Sequence, residues 1–291
     1  VSNGFDTCAS RQTGYAEAMM STQRPALLEV EPTVTNGQYT TDDDGLNTYV
    51  PEALYWERYY DYADISYEWN NGQLEVVPMA DYAKYQMYLW FLDILRDFLH
   101  VQPIARIIGL DLGFRLALRT KTTIRKPDLG LVLNTNRVPL GDHDRSYRGV
   151  FDLCIESLSD SSQTEIDRDT IIKRDEYAAA GVQEYYILDE RRIETQFYRL
   201  NRQSVYRPLP QTDGIIRSQI LPGFQFRVQD LYTQPAATQL VDDPVYSPFI
   251  SPLYRAERLR ALQAETAAEQ ERERAEHYAT LLKAAGLLPS A

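Results

Sequence analysis

Residues 151–189, FDLCIESLSDSSQTEIDRDTIIKRDEYAAAGVQEYYILD, decide the fold. Phe151 to Glu156 is a short apolar run closed by the Ser-rich turn LSDSSQ, which reads as a buried strand. Asp160 to Ser162 offer N-cap oxygens for a helix from about Glu165 to Ala180, and Gly181 stops it. Glu184 to Leu188, rich in tyrosine, is the next strand. Strand, helix and strand in succession predict an α/β protein.

Working outward, strands are expected at Ala105 to Leu118 and Asp128 to Leu133. Before them, Asp81 to His100 repeats apolar residues at helical spacing (Tyr85, Tyr88, Leu89, Leu92, Leu95, Leu99), an amphipathic helix that should pack on a sheet. ISYEWNNGQLEVVP alternates about Asn70-Asn71-Gly72, a hairpin signal that displays Glu68 near its turn, and PEALYWERYYDYAD before it could form a short helix. Downstream, Glu194 to Leu200, Ser204 to Pro208, Ser218 to Leu221 and Phe224 to Val228 complete one mixed sheet flanked by helices. Residues 1–50 show no sustained apolar period and read as a disordered N-terminal extension, with Met19 or Met20 as a candidate start. The domain therefore runs over 51–235. A Pro-containing linker follows at 236–252, then a long charged helix at 253–286, too poor in apolar core positions for a strong coiled coil.

The 291 residues are 44% hydrophobic, enough for a sizeable core, and carry a net charge of −12. Eleven acidic against three basic residues precede Tyr67, so most of the deficit lies outside the domain's centre. No run approaches the roughly 20 apolar residues of a membrane span, and residues 1–22 lack a secretory leader's pattern, so no membrane partner and a cytoplasmic location are expected. Two cysteines and three scattered histidines disfavour a thiolate or imidazole metal site and leave carboxylates as the natural ligands. There is no Gly-rich phosphate loop. Cys154, on a buried strand, reads as a packed thiol, and the 21 tyrosines as half-buried packing residues.

Pro127-Asp128 opens an apolar strand and places Asp128 on the face of Gly130 and Val132. Glu156 ends another strand, on the face of Cys154 and Asp152. Taken alone, each carboxylate reads as a strand-end charge reaching solvent. Asp169, Lys173 and Tyr177 recur every four residues along one side of the following helix, and the plain reading is an exposed i,i+4 ion pair. Arg115, Arg119, Lys121, Arg125 and Lys126, with no acid among them, read as a solvated strand face, phosphate contact being the alternative.

The order Pro127-Asp128, then Glu156-x-x-Ser159, then Asp169-x3-Lys173-x3-Tyr177-x3-Gly181-Val182-x-Glu184-Tyr185-Tyr186-Ile187-x-Asp189 closely resembles the Uma2 family of restriction-endonuclease-like proteins, within the PD-(D/E)xK nuclease superfamily. The likeness covers residues 51 to 232: Tyr67-Glu68-Trp69-Asn70-Asn71-Gly72 looks like the family's first hairpin, and Ser218-x-x-Leu221-Pro222-Gly223-Phe224 like its closing motif. The tail ending Leu281-Leu282-Lys283-x-x-Gly286 is similar to those of other members. The resemblance implies a restriction-endonuclease-like sheet with a divalent-metal site at its edge. Asp128 and Glu156 are its implied ligands for Mg²⁺ or Mn²⁺, Glu68 a third acidic contributor, and Lys173 the base-like or charge-stabilising group. Two departures stand out. Leu158 occupies the superfamily's usual lysine position, so Lys173 must reach the site from the helix. Asp81-Tyr82-Ala83-Lys84 lacks a histidine common there, leaving Lys84 as its substitute.

The expected function is a Mg²⁺-dependent endonuclease that hydrolyses DNA phosphodiesters with metal-activated water, RNA being the alternative substrate. The rival is a nuclease-fold protein without activity whose C-terminal helix binds a partner or forms a homodimer.

Overall fold

The computed structural model describes residues 33–35, 38–40, 49–62, 65–77, 81–109 and 111–285. Two units divide the chain, Val1–Thr48 and Tyr49–Ala291. In the first, β1 (Thr33–Thr35) pairs antiparallel with β2 (Gln38–Thr40). The rest of the expected N-terminal extension lies outside the described residues, except Tyr49 and Val50, which belong to the second unit.

The second unit opens with α1 (Glu52–Leu54), continued by a π-helical turn at Tyr55–Tyr59. β3 (Tyr67–Asn70) and β4 (Gln73–Val76) form the expected hairpin. Its two turn residues, Asn71 and Gly72, both take positive φ (49° and 101°), the geometry that matches strand twist. α2 (Tyr82–Val101) starts where the Asp81 side chain accepts the Lys84 backbone N–H at 2.9 Å. Then come β5 (Ala105–Gly109), β6 (Phe114–Ala117), β7 (Thr122–Arg125), β8 (Leu129–Leu133) and β9 (Leu153–Ser157). Ser162 caps α3 (Gln163–Asp167), which passes through a π-helical segment, Arg168–Lys173, into α4 (Arg174–Ala180). Gly181, at φ 94°, ends that helix in the left-handed conformation that glycine adopts at least cost. The chain continues as β10 (Glu184–Leu188), β11 (Gln196–Leu200), β12 (Tyr206–Pro208), β13 (Ile215–Arg217), β14 (Gln225–Arg227), α5 (Asp230–Thr233), α6 (Ala237–Leu240) and α7 (Ser247–Ala284).

The main sheet runs β12-β11-β10-β9-β8-β5, with β9 and β10 parallel and every other pair antiparallel. Side chains alternate across it. Leu129, Leu131, Leu153, Ile155 and Tyr186 face one core with Phe91, Leu95 and Phe98 of α2 and with Phe249 and Ile250 of α7. Val132, Cys154, Tyr185 and Ile187 face a second core with Phe114, Phe151 and Tyr177. A second sheet, β4-β3-β7-β6, carries a smaller aromatic cluster around Tyr55, Tyr60 and Trp69.

The fold class is the expected α/β, but the strands divide among several sheets instead of one. The single strand expected over 105–118 is broken: β5 belongs to the main sheet and β6 to the second, and Asp111 between them has φ 75°. The closing strand expected at Ser218 to Leu221 is a turn after β13. Residues 236–252, read as a linker, are packed: Leu240, Val245, Tyr246, Phe249 and Ile250 are buried in the first core. Their apolar residues sit among prolines without a period, which hid them. Pro248 lies in the first turn of α7, where a missing N–H costs nothing. The long helix therefore begins at Ser247, and almost all of it from Tyr254 onward is exposed. No described helix is long and apolar enough to cross a membrane.

Candidate active site

β8 and β9 pair antiparallel with Leu129 opposite Ile155 and Gly130 opposite Cys154. One more step along that register sets Asp128 opposite Glu156, on the face shared by Gly130 and Cys154. Their apolar neighbours Leu129 and Ile155 point the other way, into the core under α2. The acids are thus fixed at the sheet end by the burial of the residues between which they alternate.

The helical segment after β9 covers this end. Its Lys173 ammonium lies 3.1 Å from Glu156 Oε2, 3.2 Å from Asp169 Oδ1 and 3.4 Å from Glu68 Oε1. Asp169 and Lys173 are therefore buried, not the exposed pair that their spacing suggested: each side chain is 5% exposed. They occupy a π-helical segment, a widened turn that recurs at functional sites. The third member of the repeat, Tyr177, donates its hydroxyl to Glu156 Oε1 at 2.8 Å. The Ser157 backbone N–H donates to Asp128 Oδ2 at 2.6 Å. Leu158, in the place of the superfamily's lysine, is packed in the second core.

Glu68 arrives from β3 in the second sheet and is already engaged. Its Oε1 accepts the Lys126 backbone N–H at 2.7 Å and its Oε2 accepts Arg125 Nη1 at 3.1 Å. Arg125 is fully buried and also holds Glu176 of α4 through Nε (2.6 Å) and Nη2 (3.0 Å), and Glu75 of β4. Lys126 is buried as well. The solvated face expected for Arg115 to Lys126 thus fails at its last two members. Strand alternation turns Arg125 inward toward the acids of three other elements.

The electrostatics separate the acids. Burial pushes Asp128 up to about 6, with Lys173 opposing it. Burial likewise raises Glu156 to about 8 against the pull of Lys173, and Asp169, Asp128 and Glu68 add to the rise. Glu68 is also buried, yet the Lys173 and Arg125 charges hold it down to about 2. Lys173 is disfavoured by burial but raised by Asp169, Glu156 and Glu68 around it. At neutral pH the ammonium and Glu68 are charged while Glu156 retains a proton.

Burial of the Asp128–Glu156 pair thus outweighs the one ammonium, Lys173, that opposes it. Among the described residues Asp128 Oδ1 has no hydrogen-bond partner, and the buried Asp169 Oδ1 has only the Lys173 ammonium close by, 3.2 Å away. An all-oxygen donor set of this kind suits Mg²⁺ or Mn²⁺. No group of three His, Cys, Asp or Glu among the described residues is arranged to hold an ion alone, so water or substrate would complete the shell. The acids open on a cavity of about 100 Å³ whose wall includes Lys84, Lys126, Arg168 and Lys173. Arg168 is mostly buried there and donates to Val76 O at 3.0 Å.

The structure thus gathers Asp128, Glu156, Lys173 and Glu68 around one point. It adds Asp169 and Tyr177 of the repeat, and Arg125, Lys126 and Arg168, none of which was among the expected catalytic or metal-binding residues. The four-residue repeat was the signal for the first two; nothing in the pattern of a basic strand distinguished Arg125.

The chain matches the family model Uma2, described as "Putative restriction endonuclease", over residues 53–229. Among solved structures it is similar to a "putative nuclease belonging to DUF820" from Anabaena variabilis ATCC 29413, at 17% identity and a TM-score of 0.46, over 58% of this chain and 90% of that one. No curated protein matches it.

Proposed function

The chain belongs to the Uma2 family, and from that premise we propose that it is a Mg²⁺- or Mn²⁺-dependent endonuclease that hydrolyses DNA phosphodiester bonds, with Asp128 and Glu156 as metal ligands. The observation that carries the reading is the placement of Asp128 opposite Glu156 with the Lys173 ammonium 3.1 Å from the latter, on one cavity. A divalent cation bound there supplies an activated water and offsets phosphate charge.

The protein's own groups divide the remaining work. Glu156 must release its proton before it can hold a cation, and the Tyr177 hydroxyl and Ser157 N–H fix the orientation of the two ligands. Lys173 stays protonated and donates to the attacking water or to the phosphate oxygen on which charge develops. Glu68 is a weaker ligand candidate, because its oxygens are occupied by Arg125, the Lys126 N–H and Lys173; it holds Lys173 in place. The cations on the cavity wall favour a polyanion despite the overall negative charge.

A second reading, an inactive nuclease-fold protein that binds a partner or a second copy through α7, is favoured by the exposed Leu259, Leu262, Tyr278, Leu281 and Leu282 on that helix. Plasmid relaxation and linearisation with Mg²⁺ and Mn²⁺ separate the two. Wild type should cut and Asp128→Ala and Lys173→Ala, purified identically, should lose at least about 100-fold. Cutting that survives both substitutions would place the site elsewhere; no cutting of DNA or RNA by wild type would favour the second reading.

A further inference from the structure

Of the buried lysines on the cavity wall, one has neither a part in the chemistry above nor a close partner among the described residues. Lys84 stands in the first turn of α2, and its side chain is only 7% exposed. Among the described residues its Nζ makes no hydrogen bond, and the carboxylate paired with it, Asp160 Oδ1, is 3.9 Å away. The other buried lysines are better served: Lys126 Nζ donates to Tyr60 O at 2.7 Å, and Lys173 is within 3.4 Å of three carboxylates. A buried ammonium without close partners is costly, and the first turn of a helix, with its exposed positive dipole end, adds to the cost. Lys84 shares its cavity with Asp128 and Glu156, so an anion entering to meet those acids and their cation passes within its reach.

We propose that Lys84 is a substrate-binding residue that takes a non-bridging phosphate oxygen of the polynucleotide in the active-site cavity. This rests on the nuclease reading above and assigns a role to a residue that the reading leaves idle. The side chain is 7% exposed and its carboxylate partner, Asp160, stands 3.9 Å away, so a backbone phosphate in the cavity completes its coordination. A free ammonium–phosphate contact of this kind is independent of base identity.

The test measures binding of a labelled 12-nucleotide single strand by fluorescence anisotropy across a salt series. Ca²⁺ serves as the cation, and the oligonucleotide's integrity is checked on a gel. Lys84→Gln and Lys84→Met should weaken binding about tenfold and lower the slope of log K against log salt by about 0.7, one phosphate contact on a single strand. Lys84→Arg should restore both. The melting temperature of Lys84→Met should equal or exceed that of wild type, because the substitution removes an unrequited buried charge. Unlabelled oligonucleotide should displace the probe, and the same phosphate concentration of inorganic phosphate should not.

Wild-type affinity and slope in both variants, beside a wild type that binds, would overturn the role of Lys84 and leave the nuclease reading standing. A fall in melting temperature in both variants in step with binding would make Lys84 structural and also overturn it. Displacement by inorganic phosphate would assign the site to free phosphate instead. A wild type that neither binds nor cuts DNA or RNA would sink the nuclease reading and this proposal with it.

Discussion

Asp128 and Glu156 differ from Glu68 in what surrounds their oxygens. Glu68 has a guanidinium, an ammonium and a backbone N–H, and stays ionised. Asp128 and Glu156 are raised by burial, with Lys173 the one cation opposing it, and bind protons more tightly folded than unfolded, at about 6 and about 8 against ordinary values of 3.8 and 4.5. A raised carboxyl stabilises the fold fully below its unfolded value, and that contribution is lost as pH climbs through the folded one. Glu68 has the opposite sign, but its contribution is already complete above about pH 4.5. Without metal, therefore, the melting temperature should fall between about pH 5 and pH 8. Mn²⁺ should raise it more at about pH 8 than at about pH 6, because cation and proton compete for the same oxygens. A flat metal-free profile, with a Mn²⁺ shift independent of pH, would contradict this picture of the site.

Between elements, the bolt is Arg125. From β7 it reaches Glu68 on β3, Glu75 on β4 and Glu176 on α4, and α4 continues directly from the segment that carries Lys173. The second sheet and the helix that follows Lys173 are thus tied through one buried side chain. Arg125→Met leaves three acids without their common partner and should cost about 3–5 kcal/mol in urea unfolding. A loss below about 1 kcal/mol would show that the acids find other partners. Sequence pattern located β8, β9, β10 and α2 well, because the three strands are short continuous apolar runs bounded by polar segments and the helix keeps a period of 3.6. It joined β5 to β6, since only Asp111 and two glycines interrupt the apolar run that joins them. It also gave no hint that Arg125 is buried: a strand pattern shows alternation, but the carboxylates that make burial tolerable come from three distant segments.

For the whole molecule, Asp128 and Glu156 were legible because a charge at the end of an apolar strand is conspicuous, and Lys173 because the repeat and the family resemblance both mark it. The companions Asp169 and Tyr177 belong to that repeat, yet their burial depends on how the helix crosses the sheet end, which spacing does not specify. The packing of residues 236–252 was hidden in the same way: Tyr246, Phe249 and Ile250 become core only because α2 presents Phe98 and Trp90 to them.

The fold, the electrostatics and the proposed chemistry meet in the claim that β8 and β9 hold one divalent cation between them. The direct measurement is anomalous diffraction from crystals grown with Mn²⁺ at about pH 8, where Glu156 gives up its proton. A peak within about 2.0–2.4 Å of carboxylate oxygens of both Asp128 and Glu156, lost in Asp128→Ala, is the expected result. Full-occupancy Mn²⁺ elsewhere, or no peak at these acids at millimolar Mn²⁺, would contradict the account.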